Sequence, residues 1–272
     1  MDNNINTKNE IDQSIYLYDK TVTCPVCGNV FKARSVKKSS YRILKQDSDF
    51  FYEYKNINPY FYDVWLCNIC GYASMKTDFN KIRESQKQLI MEKISMKWHA
   101  KNYPEVYNIN IAIERFKISL LNYVTLDAKS SSKAMNCLKI AWMYRMLGNS
   151  KLETSYMKNS IDEFNKAYFN EMFPIYGMSK FAMMYLIGEL NRRVGNNKDA
   201  LIWFGRVLGE TNAPQRLKNK IRDQKDLIKS TSKNDSDLEE HHDPNDEKKK
   251  KVFFQNFSNP PVQFIFYYTN IL

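Results

Sequence analysis

Turn formers and histidine are scarce in this chain: glycine and proline occur 8 times each, and histidine 3 times, in 272 residues. A many-stranded sandwich needs frequent tight turns, so this scarcity favours helices. No nucleophile–base set, phosphate-binding loop or histidine-bearing metal motif is present, which makes an enzyme the least expected reading. His99 reads as a polar helix-end residue, and His241 and His242 as solvent-exposed residues of a tail. No run of about 18 apolar residues is available for a membrane helix. Residues 1–18 lack the apolar segment of a secretory signal, so the expected compartment is the cytoplasm.

Hydrophobic residues make up 43% of the chain and aromatics 14%, with 18 Tyr and 16 Phe, a globular composition. The formal charge is +11 and the isoelectric point about 9.2. Such a balance suits an acidic partner, but it also serves solubility alone, since charge speaks to association rather than fold.

Four of the 5 cysteines form two matched pairs, Cys24-Pro25-Val26-Cys27-Gly28 and Cys67-Asn68-Ile69-Cys70-Gly71. Thiolates at this spacing put two ligands on one tight turn, and two such turns complete a tetrahedron. The glycine after each pair suits a backbone that turns sharply with positive φ. The expected cofactor is one structural Zn2+ held by Cys24, Cys27, Cys67 and Cys70. An iron–sulfur cluster also uses four thiolates, and a redox dithiol is the other rival. The 39 residues between the pairs exceed the usual separation; a hairpin and an aromatic insertion can fill them. Cys137 lies in a helical pattern and reads as a small core residue.

Val30–Val36 alternates as a strand does, and Tyr41–Leu44 and Tyr60–Leu66 read as further strands. From Asp78, taken as an N-cap, the period becomes helical. One helix carries Leu89, Ile90, Ile94 and Trp98, and a second follows Pro104. A third begins at Ser130–Ser132 and a fourth spans residues 151–170. A fifth and sixth meet at Gly195-Asn196, and a seventh starts at Pro214. Ile140–Lys151 aligns with Ile187–Lys198 at an offset of 47 residues, which looks like a tetratricopeptide helix-turn-helix repeat of unusual length.

The expected fold is therefore α+β and mostly α. Its parts are a flexible arm (1–18), a zinc-ribbon-like module (19–77) and a tetratricopeptide-like helical array (78–229). A charged linker (230–251) and an aromatic tail (252–272) follow. The basic run and aromatics of that tail could touch an anionic bilayer; docking on the protein's own core, or a disordered appendage, is the preferred expectation.

Between Cys27 and Asp47 lie Lys32, Arg34, Lys37, Lys38, Arg42 and Lys45 with no acidic residue among them. They are candidate phosphate contacts for nucleic acid. The blander and favoured account is that they offset a dianionic metal centre. Glu189, Asn191, Arg192 and Arg193 are candidates for a partner surface, although a solvated helix face explains them equally well.

With these residues in hand, the chain resembles a bacterial family called domain of unknown function 2225. The resemblance rests on Val22–Gly28, Asp47-Ser48-Asp49-Phe50, Asn58–Val64, Cys67–Ala73, Ala141-Trp142 and Tyr185–Arg193, and it covers about residues 18–229. It implies a zinc-ribbon-like segment joined to tetratricopeptide-like helices, and brings no activity with it. The functional expectation is a non-catalytic zinc-binding adaptor that binds a protein or peptide partner. A nucleic-acid-binding protein is the alternative, and a small-molecule substrate is not expected.

Overall fold

In the computed structural model, described for residues 12–239 and for side chains to residue 230, six strands precede seven helices. The strands pair as three antiparallel hairpins: β1 (Leu17–Thr23) with β2 (Val30–Val36), β3 (Arg42–Gln46) with β4 (Tyr52–Lys55), and β5 (Val64–Leu66) with β6 (Ala73–Met75). The helices are α1 (Glu84–Lys93), α2 (Ile109–Thr125), α3 (Ser130–Met146), α4 (Ser150–Asn170), α5 (Lys180–Arg193), α6 (Asn197–Gly209) and α7 (Gln215–Glu239). The protein is thus mostly helical, with a small N-terminal antiparallel strand region. Residues 1–11 and 240–272, which include most of the expected arm, the end of the linker and the whole aromatic tail, lie outside the described residues.

The chain divides into two compact units. The first comprises residues up to Ala128 together with Trp142–Gly148, and the second comprises Lys129–Ala141 and the residues from Asn149 on. In the first unit, α2 packs on β5 and β6 and α1 lies against α2. Phe79 is fully buried among the rings of Phe31, Trp65 and Tyr72. The Tyr123 hydroxyl accepts from Met75 N (3.0 Å) and donates to Asp78 (3.0 Å), tying β6 to α2.

Two local expectations shift here for identifiable reasons. Asp78 bonds Tyr123 and Lys81 (3.0 Å), and the helix starts later, at Glu84 with Arg83 in the N-cap position. Tyr60–Leu66 is not one strand. Pro59–Tyr62 form a 3-10 turn because the Asn58 side chain accepts from Tyr60 N (3.0 Å), leaving only Val64–Leu66 extended.

A buried ion pair closes the β3–β4 hairpin onto the end of α3 within the same unit. Asp49 is 0% exposed. Its carboxylate accepts from Trp142 Nε1 (3.0 Å) and from Arg145 Nη2 (2.6 Å), while Asp47 accepts from Arg145 Nη1 (3.2 Å). The turn at Asp47–Phe51 that presents both carboxylates places Phe50 at φ 68°. A non-glycine residue in that region is strained and needs surroundings that hold it there.

In the second unit, α5 packs against α4 and α6, and α7 against α5 and α6. Gly188 lets α5 approach α6 closely, since a Cβ there would lie 2.7 Å from the Phe204 ring. The Glu171 carboxylate caps the start of α3, accepting from Ser131 N (2.8 Å) and Oγ (2.6 Å). Negative charge at a helix N-terminus is favourable because four N–H groups there lack partners. The helix α7 runs to Glu239, into the stretch expected as linker.

Candidate metal centre

Each cysteine pair occupies the turn of a hairpin. Cys24–Asn29 joins β1 to β2 and Cys67–Tyr72 joins β5 to β6, so both loops are six residues with cysteine first and fourth and glycine fifth. Their backbone bonds match. Gly28 N donates to Cys24 O (2.9 Å) and Gly71 N to Cys67 O (2.9 Å); Cys24 N donates to Asn29 O (2.8 Å) and Cys67 N to Tyr72 O (2.9 Å). Both glycines sit in the left-handed region, at φ 74° and 72°, where a Cβ is disfavoured.

The two loops bring the four sulfurs together, all within 4.8 Å of one another, with Cys24–Cys70 and Cys27–Cys67 each at 3.6 Å. Cys24, Cys67 and Cys70 are buried, and Cys27 is half-buried. A group of four thiols this close cannot ionise independently. Hydrogen bonds from the Cys24 and Cys70 thiols hold Cys67 down to about 2. The bond to Cys67 pushes Cys24 up to about 12, and the bonds to Cys24 and Cys67, with burial, push Cys70 up as well. Four thiolates together require a cation among them. The donor set fits a structural metal: four soft ligands, converging and largely shielded from water.

The surroundings of the two loops differ. The second is held from outside: Trp98 Nε1 donates to Asn68 O (2.8 Å), Ser95 Oγ to Cys70 O (2.7 Å) and Asn122 Nδ2 to Gly71 O (3.3 Å), while Asn68 Oδ1 accepts from Lys101 N (2.6 Å). Trp98 lies so close that a Cβ on Gly71 would meet its ring at 2.7 Å. Around Gly28 there is open space. From the first loop, Asn29 Nδ2 reaches to 4.0 Å from Cys67 Sγ.

The other sequence candidates are dispersed. Lys32 donates to Thr21 Oγ1 (2.7 Å), Arg34 bridges Asp19 (3.0 Å) and Glu105 (2.9 Å), Lys37 donates to Ile15 O (2.7 Å), and Lys45 pairs with Asp47 (3.0 Å). Lys38 and Arg42 are exposed. In α5, Glu189 (0% exposed) and Asn191 (3%) point inward, and Arg192 and Arg193 fold back onto the Glu189 carboxylate at 2.8 and 2.9 Å. Cys137 is buried, and burial pushes its thiol up, as for an unreactive core residue. Trp98, expected on the apolar face of the first helix, lies beyond its end and fixes the second loop together with Asn68. The glycine of Cys67–Gly71 is their only sequence trace, because it must leave room for the indole.

Fold and site together define a mostly helical protein with an N-terminal four-cysteine centre built from two hairpin turns. The chain belongs to the bacterial family of domain of unknown function 2225, described as an uncharacterized protein conserved in bacteria, which it matches over residues 17–228. It is also similar to an uncharacterized protein of Borreliella burgdorferi, at 23% identity over 162 residues. That alignment takes in 52% of this chain and 57% of the relative. No solved structure matches.

Proposed function

We propose that the four cysteines hold one structural Zn2+ and that the protein is a non-catalytic adaptor whose helical second unit binds a protein or peptide. The observation that carries the metal is the sulfur geometry. Zn–S bonds of about 2.3 Å in a tetrahedron give sulfur–sulfur edges of about 3.8 Å, against 3.6 Å for the two nearest pairs. A multi-iron cluster distributes its four thiolates over two or more iron atoms, which would hold some of the sulfurs further apart. Four thiolates also fill the coordination sphere, whereas catalytic zinc keeps a position open. Paired Cys-x-x-Cys turns that converge on a metal rather than on disulfides suit a reducing compartment such as the cytoplasm. Among the described residues no helix is long and apolar enough to cross a membrane.

The adaptor reading is supported by the matched helix pairs and by apolar surface on the second unit. The turns at Gly148 and Gly195 share positive φ (69° and 84°) and are each followed by an asparagine at the start of the next helix, as in a tetratricopeptide-like repeat. At the opposite end of α4 from Gly148, Phe169 is 67% exposed beside Tyr168 and Trp203, and Met172, just past the helix, is 93% exposed. Clustered exposed apolar groups mark interaction sites.

Elemental analysis of the purified chain should give one zinc per molecule, and iron with visible charge-transfer absorption would replace this reading. For the adaptor, the doubly substituted chain with Phe169→Ser and Met172→Ser should lose a partner that the native chain retains. Equal retention by both would remove this surface from the proposal.

A further inference from the structure

The first unit contains a cavity of about 410 Å3 bounded by β2, by the segment at residues 101–107 and by α2. That is large enough for a small molecule. Arg115, from α2, is 6% exposed and lines it. A guanidinium has five N–H donors and does not deprotonate in proteins, so it cannot escape burial by becoming neutral. Arg115 spends Nη2 on Val64 O (2.8 Å), while its Nε is buried with no acceptor. Among the described residues no carboxylate forms a salt bridge with it.

The nearby acids are engaged elsewhere. Arg34 holds Asp19 and Glu105 at 3.0 and 2.9 Å, and Glu114 accepts from Lys101 (2.9 Å) and from the Tyr103 hydroxyl (3.3 Å). What Arg115 does have is two aromatic faces: its Cζ lies 5.1 Å from the Tyr103 centroid and 4.7 Å from that of Tyr107. These rings fix the plane of the guanidinium without neutralising it. The lining carries Lys32, Arg34, Lys101 and Arg115 against Asp19 and Glu105, and with Glu114 counted against Lys101 one cation remains in excess around a concave, partly aromatic space.

We propose that this cavity is a binding site for a small oxyanion-bearing molecule, its carboxylate or phosphate group seated against the Arg115 guanidinium. The planar fork of arginine suits either group, and the tyrosines and Phe31 give the rest of such a ligand an apolar wall. The cavity shares Leu66 and Asn68 with the second cysteine turn, which is why the test keeps the metal in place, and it uses none of the apolar residues named on the second unit.

The test uses the full metal-loaded chain labelled with 15N-arginine, at constant ionic strength in chloride. The Arg115 Nε–H resonance is assigned through its own side-chain carbons and followed while chloride is exchanged for inorganic phosphate or, separately, acetate. A saturable shift with either oxyanion supports the proposal, and the arm that saturates first identifies the headgroup. In Arg115→Lys, which keeps the charge and loses the fork, affinity should drop at least tenfold. If that variant fails to fold, Lys101→Gln at the cavity lining should weaken binding by severalfold. No shift with either anion, a shift that never saturates, or binding unchanged in the folded variant overturns the proposal and leaves the tyrosine stacking as a purely structural device.

Discussion

Two glycines at equivalent positions do different amounts of work. Gly28→Ala meets only the cost of a Cβ in the left-handed region, about 1 kcal/mol. Gly71→Ala meets the same cost and also pushes on the Trp98 ring at 2.7 Å, which adds about 1–3 kcal/mol of overpacking. Thermal unfolding monitored in parallel should therefore rank Gly71→Ala clearly below Gly28→Ala. At Asp49 the deciding quantity is charge. Arg145→Met strands a carboxylate that is 0% exposed, and breaking a buried pair in this way costs about 3–5 kcal/mol. Urea denaturation of the variant should show a loss of that order, and a loss below about 1 kcal/mol, the scale of an exposed pair, would show that Asp49 is not desolvated as described.

At the scale of elements, the helix starts after Gly148 and Gly195 look alike in sequence and differ in bonding. Asn149 caps α4 by accepting from Leu152 N (3.0 Å), whereas Asn196 makes no side-chain cap bond to α6. Asn149→Ala should cost about 1 kcal/mol, the typical value of a lost cap, and Asn196→Ala distinctly less. Equal losses in chemical denaturation would contradict the difference in capping. These elements also show what could be read in advance. Strand β2, the glycine stops and the span of α4 were legible because each depends on neighbours in sequence: alternation, positive φ, helical period. The four cysteine positions were legible for the same reason, since each ligand pair is local. Tyr60–Tyr62 reads as strand because its aromatics satisfy a β propensity that the Asn58 side chain overrides. Asp49 with Trp142 and Arg145 could not be read at all: the partners lie 93 and 96 residues apart, and nothing local announces a long-range ion pair. Arg115 was hidden similarly, one charge in an otherwise apolar helical stripe.

At the scale of the molecule, the metal and the strand region should stand or fall together. Metal-site free energy is folding free energy, because thiolates do not gather in an unfolded chain. Stripping the metal with a chelator, or replacing Cys67 by Ser, should release amide-exchange protection in β1, β2, β5 and β6 while α4, α5 and α6 keep theirs. Acid should have the same effect as the chelator, since protons compete with the metal for sulfur. Helical loss throughout the second unit on chelation would show that the two units are not independently stable.

The unequal bracing of the two cysteine turns also sets an order in time. Trp98, Ser95 and Asn122 hold the Cys67–Cys70 turn from outside, so of the two half-sites it is the later to come apart when the ion leaves. The Cys24–Cys27 turn, held from outside by little beyond its own backbone, is the half that closes last and opens first. Metal should therefore leave, and oxidants or alkylating reagents arrive, through the side of Cys27, the one ligand that is only half-buried. Timed alkylation followed by peptide mapping should find Cys27 and then Cys24 modified before Cys67 or Cys70. The hinge of the centre is its first turn, and its anchor is the second.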